Sequence, residues 1–290
     1  MSKYNLDLDY ATPLIDISRE ELNEIISEAD AIISENKRGD EELAEAYLKK
    51  AQCLQKLEEY TQFENIESIN NCQNINIRKQ KKIKTLIEKA LILYTNIPEA
   101  INQLGKYYYK MSISGNNNFD KAIDMYTIAI ELKPGYAAAY NNRSVLYASK
   151  VYSEVNISPQ ENLYKAINDF IEAIKIRPFY AMYYYNRGRN YSKLQDHKKA
   201  IDDLSGAIQH GSVEFKKKIP LYYLRGDEYM WLRNYDKSID DFSQQILLRP
   251  DLIRSFLMRG NAYLGIGERE KAKADMDEYL RRKKSRIIMA

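Results

Sequence analysis

Histidine and cysteine are scarce in this chain of 290 residues, with two of each. His197 and His210 stand far from Cys53 and Cys72, in no spacing that could close around a metal ion, so no metal site is expected. Two thiols suit a reducing cytosol better than a disulfide-stapled secreted fold. A Cys53–Cys72 bridge stays open to the sequence, but both residues read as buried or idle thiols. An excess of charge is also missing: 44 Lys and Arg against 41 Asp and Glu leave a net +3, where a nucleic-acid-binding domain is usually strongly basic. No apolar run approaches the ~20 residues of a membrane span. The first ten residues are polar, which is not how a signal peptide reads. Neither a glycine-rich phosphate loop nor a nucleophile elbow is present. The expectation is a non-enzymatic protein without cofactor, catalytic residue or membrane contact, cytoplasmic and monomeric.

What the chain has instead is a phrase that it repeats. A large residue, then Arg or Leu, then a small residue and Tyr recur as Ile101-x-x-Leu104-Gly105-x-x-Tyr108 and Tyr140-x-x-Arg143-Ser144-x-x-Tyr147. The phrase returns at Tyr184–Tyr191 around Arg187-Gly188, at Tyr222–Tyr229 around Arg225-Gly226, and at Phe256–Tyr263 around Arg259-Gly260. A second phrase, small-x-x-x-large, follows each: Ala122 to Tyr126, Ala166 to Phe170, Ala200 to Leu204, Ser238 to Phe242, Ala272 to Met276. Three copies close on a proline, Pro134, Pro178 and Pro250, which lacks an N–H and disfavours helix in the residue before it. Two antiparallel helices can cross closely only where one side chain is nearly absent, so Gly188 and Gly226 should meet Ala200 and Ser238. One such pair cannot bury its apolar face alone, and stacking of neighbours must supply the core.

The rest of the chain falls around these copies. Residues 1–15 read as a flexible lead and 16–40 as an N-terminal helix opened by a Ser18/Glu21 capping box, with Ile25, Ile26, Ala29, Ile32 and Ile33 as its apolar stripe. Residues 41–97 read as a degenerate first repeat with an insert over 61–80. Five repeats follow, at 98–134, 137–178, 181–212, 219–250 and 253–285, before a tail of 286–290. Further inserts fall over 111–119 and 151–160, all three in the turn inside a repeat, where equivalent turns stack on one edge. Residues Gly211–Lys218 lengthen one joint.

A period of about 34 residues with this internal grammar resembles the tetratricopeptide-repeat family, over roughly residues 41–285. The resemblance implies an all-α, right-handed superhelical solenoid of antiparallel helix pairs, five to six repeats long. It also implies a concave groove lined by the first helix of each pair, which takes an extended peptide or a partner helix, and no reaction chemistry. Rotating about 200° from the packing stripe puts Asn102, Lys106 and Tyr109 in that groove, then Asn141 and Asn142. Tyr185, Asn186 and Arg189 follow, then Tyr223 and Asp227, then Asn261. Asparagine carries both a donor and an acceptor for a peptide backbone, and tyrosine offers apolar area at little entropic cost. The family's chaperone-tail clamp needs five matched positions. Asn102 and Lys106, Asn142, Met182 and Asn186 supply one match, as does the triplet beginning one repeat later, so no carboxylate clamp is expected.

Other polar features read as structure. The acids Asp202-Asp203 and Asp240-Asp241 recur in register, as solvated residues favoured by the helix dipole rather than as a catalytic dyad. The recurring arginines face the packing stripe and are expected to stack between repeats and pair with those acids. The basic run Arg281–Arg286 reads as a cationic end to a terminal helix. A rival function would make the chain a regulatory or carrier subunit of an enzyme complex, touching nucleic acid through that tail.

Overall fold

The structure, a computed structural model, describes residues 18–35, 39–64, 77–113, 118–150 and 159–288. The expected lead over 1–15, the middle of each insert and Cys72 lie outside them. Among the described residues every regular element is an α-helix, and the helices fall into two compact units, residues 1–146 and 147–290.

The first unit holds α1 (Arg19–Glu35), α2 (Asp40–Glu64), α3 (Ile77–Leu93), α4 (Pro98–Ile113), α5 (Phe119–Leu132) and most of α6 (Ala137–Lys150). The capping box forms as the sequence predicts: Ser18 N donates to Glu21 Oε2 at 2.7 Å and Glu21 N to Ser18 Oγ at 3.1 Å. Leu22 and Ile25 of α1 then bury against Cys53 of α2. Burial pushes the Cys53 thiol up to about 12, against a smaller pull from Lys49, which leaves it protonated and inert at neutral pH. Helix α2 packs on α3 through Ala44, Leu48 and Ala51 against Ile83, Ile87 and Ala90. The helices reach into the insert expected over 61–80, since α2 continues to Glu64 and α3 begins at Ile77. In the α4–α5 pair a Cβ on Gly105 would lie 2.6 Å from the Tyr126 ring, so only glycine lets the helices meet there.

The second unit holds α7 (Pro159–Ile176), α8 (Ala181–Lys193), α9 (His197–His210), α10 (Val213–Lys218), α11 (Leu221–Trp231), α12 (Tyr235–Leu248), α13 (Arg254–Gly265) and α14 (Arg269–Ile288). Three hairpins, α8–α9, α11–α12 and α13–α14, pack in succession, α9 against α11 and α12 against α13. Their turns share one conformation: Gln195, Arg233 and Gly267 sit at φ 59°, 55° and 83°, the left-handed region that suits only the glycine. Asp196 and Asn234 cap the second helices by accepting from Lys199 N and Lys237 N. The joint after α9 is itself a short helix, α10, capped by Ser212 Oγ and anchored by Phe215 in the core between α9 and α11. Helix α14 runs on to Ile288, past the boundary expected at 285.

The crossings fall where the glycines lie. A Cβ on Gly188 would stand 3.1 Å from Asp203 Cβ and 3.3 Å from the Ala200 carbonyl, and one on Gly226 3.0 Å from the Phe242 ring. Ser238 adds a clasp, its hydroxyl donating to the Gly226 carbonyl at 2.8 Å.

Beside each crossing runs an ion pair. Arg187, Arg225 and Arg259 hold Asp203, Asp241 and Asp275 by two hydrogen bonds each, 2.6 to 2.8 Å long. Arg225 and Arg259 also donate to Ser205 and Ser243 on the second helix of the preceding pair, and in the first unit Arg143 donates to Thr127 at 3.0 Å. The solvated reading of the paired acids is therefore corrected by half. Asp202 and Asp240 are exposed, but Asp203 and Asp241 are buried in these pairs. The hydrogen bond to Asp241 holds the Arg225 guanidinium above its ordinary value, against the cost of burial.

Two predictions follow from this packing. Gly188→Leu and Gly226→Leu should each lower stability by about 1–3 kcal/mol through overpacking; unchanged thermal unfolding of both would remove the helix register described above. Asp241→Ala should cost about 3–5 kcal/mol by stranding the Arg225 charge, and the joint change Arg225→Met, Asp241→Leu should cost less. Urea unfolding of the three proteins compares them, and a joint variant as damaged as the single one would mean the pair is favourable in itself.

Candidate partner groove

The expected groove residues behave differently in the two units. In the first, Asn102, Lys106 and Asn141 are buried, with 0%, 4% and 7% of their surface exposed. Asn102 Nδ2 donates to the Tyr136 hydroxyl at 3.2 Å, Asn142 Nδ2 to Asn102 Oδ1 at 2.9 Å, and Asn141 Nδ2 to Asn142 Oδ1 at 3.3 Å. Tyr109 leans on Phe119, ring centres 6.3 Å apart, and joins the α4–α5 core. The asparagines expected to meet a peptide here hold one another and the next helix instead, so Asn102, Lys106 and Asn141 do not present their side chains to solvent.

In the second unit the expected residues stay half-buried or exposed. On α8, Arg189 lies over the Tyr185 ring, 5.6 Å from its centre, and reaches the Tyr185 hydroxyl at 3.4 Å. Burial, and then Arg189, lowers the Lys193 ammonium one turn further on. Among the described residues nothing hydrogen-bonds the side-chain amides of Asn186 on α8 or Asn261 on α13. On α11, Tyr223 tilts against Phe242 at 5.6 Å, and its backbone N–H donates to Gln245 Oε1 at 3.2 Å. Burial raises the Asp227 carboxyl, the neighbouring Glu228 adds to the rise, and His197 draws it back.

The sequence pattern missed Trp231. It lies two turns beyond Tyr223 on the side of α11 that carries Asp227, and it is 69% exposed. Its indole stacks on His197, with centres 5.6 Å apart and planes 8° from parallel, while His197 Nδ1 meets Glu228 Oε2 at 2.6 Å. Extending the stripe Tyr223–Asp227 by one more turn would have found it. The stack on His197 could not be read that way, because the two residues come from different repeats.

Elsewhere the structure offers little chemistry. No group of His, Cys, Asp and Glu that could hold a metal occurs among the described residues, and no described helix is long and apolar enough to cross a membrane. His210 is flanked by the rings of Phe179 and Tyr184. In the tail, Arg281 donates two hydrogen bonds and Arg282 one to Glu278, and together they hold its carboxyl down to about 2. Arg282 also reaches back to the Pro250 carbonyl at 2.8 Å.

Helix pairs with this crossing, turn and ladder define a helical-repeat protein. Residues 181–209, 219–252 and 253–286 each match the tetratricopeptide repeat. The second unit therefore carries three tetratricopeptide repeats. No curated protein sequence matches it. Among solved structures it is similar to MamA, at 21% identity and a TM-score of 0.56, over 66% of this chain and 93% of that one. It is similar to YrrB, described as a tetratricopeptide-repeat protein with an unusual peptide-binding site, at 19% identity and 0.56, over 68% and 91%. PilF of Pseudomonas aeruginosa aligns at 15% identity and 0.57, over 82% and 90%. At these identities the likeness is one of fold.

Asp227 yields a stability prediction. A folded-state value above the unfolded one means that the fold favours the protonated acid. Ionised Asp227 then costs stability at neutral pH, and the cost vanishes below the unfolded value of about 3.9. Asp227→Asn should melt higher than the parent at neutral pH and lose that advantage near the lower pH. Equal melting temperatures at neutral pH would show that the carboxylate is not penalised by its surroundings.

Proposed function

We infer that this chain is a non-enzymatic adaptor that binds an extended segment of a partner protein across the first helices of its repeats, acting as a monomer in the cytosol. The fold supports interaction in general. The observation that carries the finer reading is that no group among the described residues hydrogen-bonds the amides of Asn186 and Asn261, which leaves them accessible to a ligand. Each amide keeps donors and an acceptor for a ligand, and an extended peptide backbone presents the matching N–H and C=O groups. Tyr185 and Tyr223 beside them supply apolar area. The description of YrrB as having an unusual peptide-binding site is consistent with this use of the fold. The buried asparagine network of the first unit moves the expected contact toward the C-terminal repeats. The rival nucleic-acid reading of the tail is the weaker one, because Arg281 and Arg282 are already engaged with Glu278.

The test is a pull-down from native cytosol followed by affinity measurement on the captured partner. Asn186→Ala with Asn261→Ala should leave the melting temperature near the parent's, since neither residue packs at a crossing. The same change should weaken the partner by roughly 1–3 kcal/mol, from two hydrogen bonds of about 0.5–1.5 kcal/mol each. Undiminished affinity would place the contact elsewhere.

A further inference from the structure

The exposed indole of Trp231 needs an account that packing does not give. Tryptophan is enriched among the residues that dominate interfaces, and this one is 69% exposed. This one is also held in place, because the stack on His197 fixes one ring face and leaves the other open, and Glu228 fixes His197 in turn. One turn back along α11 stands Asp227, a carboxylate that burial and Glu228 destabilise and that no side chain among the described residues hydrogen-bonds. One turn further back is the Tyr223 ring, whose phenol is raised by burial and then by the Asp227 charge, against a smaller pull from Arg254 of α13. An aromatic, an acid and an aromatic on three successive turns are the components of a cation site. A cation is attracted to the face of an aromatic ring, most strongly Trp, and the carboxylate supplies the opposite charge.

The neighbouring helix carries the reverse sign. Tyr185 of α8 and Leu224 of α11 both pack against one apolar cluster built from α9 and α11. On α8 the position matching Asp227 is Arg189, whose guanidinium reaches only the Tyr185 hydroxyl among the described residues. Arg189 and Asp227 do not pair with each other, so the two charges remain for a ligand.

We propose that Tyr223, Asp227 and Trp231 form the receiving site for an arginine side chain of an extended peptide, with an acidic residue elsewhere in the same peptide meeting Arg189. The occupant is arginine because a planar guanidinium can stack on the indole and bind the carboxylate by two bonds at once, which an ammonium cannot. The proposal rests on the peptide reading above and names the chemistry of the peptide.

The experiment exposes the immobilised full-length protein to a positional-scanning library of short acetylated peptides. The parent should enrich arginine at one position and Asp or Glu at another. Asp227→Asn and, independently, Trp231→Leu should lose the arginine preference, with roughly tenfold weaker binding of the selected peptide, while still retaining other peptides. Thermal unfolding checks that both variants fold. Trp231 is the single tryptophan of the chain, so its emission should change saturably as the selected peptide is added and stay unchanged with the same peptide carrying Gln for Arg. Retained peptides without an arginine preference, or a preference that survives Asp227→Asn, would overturn the proposal and leave the groove reading standing. N-acetylarginine amide binding as tightly as the peptide would overturn it in favour of a small-cation site. If the parent retains no peptide at all, the groove reading falls and this one with it.

Discussion

Everything in this molecule depends on how closely two antiparallel helices can approach. Where they cross, a single Cβ at Gly105, Gly188 or Gly226 would stand only 2.6 to 3.1 Å from the partner helix. That proximity lets large residues such as Tyr126 and Phe242 close over the crossing and bury fully. It also brings the arginine three residues after the leading aromatic within reach of the aspartate sixteen residues on, in the second helix. The ladder is a consequence of the crossing, since a wider pair would leave both charges hydrated and apart.

The ladder joins pairs as well as helices. Arg225 and Arg259 each touch a serine on the preceding hairpin, so one guanidinium records the register of two repeats at once. A buried ion pair is weak evidence of stabilisation, because desolvation offsets most of the attraction. Burial pushes the Asp203 and Asp241 carboxyls above their ordinary value in spite of the bound guanidinium. Its better-supported role is to penalise wrong alignments, in which a charge would be buried alone.

The first helices divide their polar residues between two uses. In the first unit Asn102, Asn141 and Asn142 hydrogen-bond one another, although the buried Asn141 Oδ1 is left without a partner. In the second unit Asn186, Asn261, Asp227 and Arg189 are left with few or no internal partners, and Trp231 stands open above His197. Residues of one type at one repeat position thus do different work according to what the neighbouring helix places opposite them.

The repeat grammar made the helices, their pairing and their crossing points legible, because these follow from local spacing. A residue every turn on one face sets amphipathicity, and a missing side chain sets the crossing. The Ser18/Glu21 cap and the Arg187–Asp203 type of pair were equally readable, since both partners lie in one repeat at fixed separation. Burial at the polar positions was not. Asn102 is buried because Tyr136 and Asn142, from another helix, cover it, and Asp203 is buried while Asp202 beside it is exposed. Trp231 meets His197 for the same reason, across a repeat boundary. The sequence by itself determined which residues turn toward a partner helix; only the tertiary structure decided which polar residues on the remaining face are satisfied from within, because that depends on side chains brought together by stacking rather than by spacing.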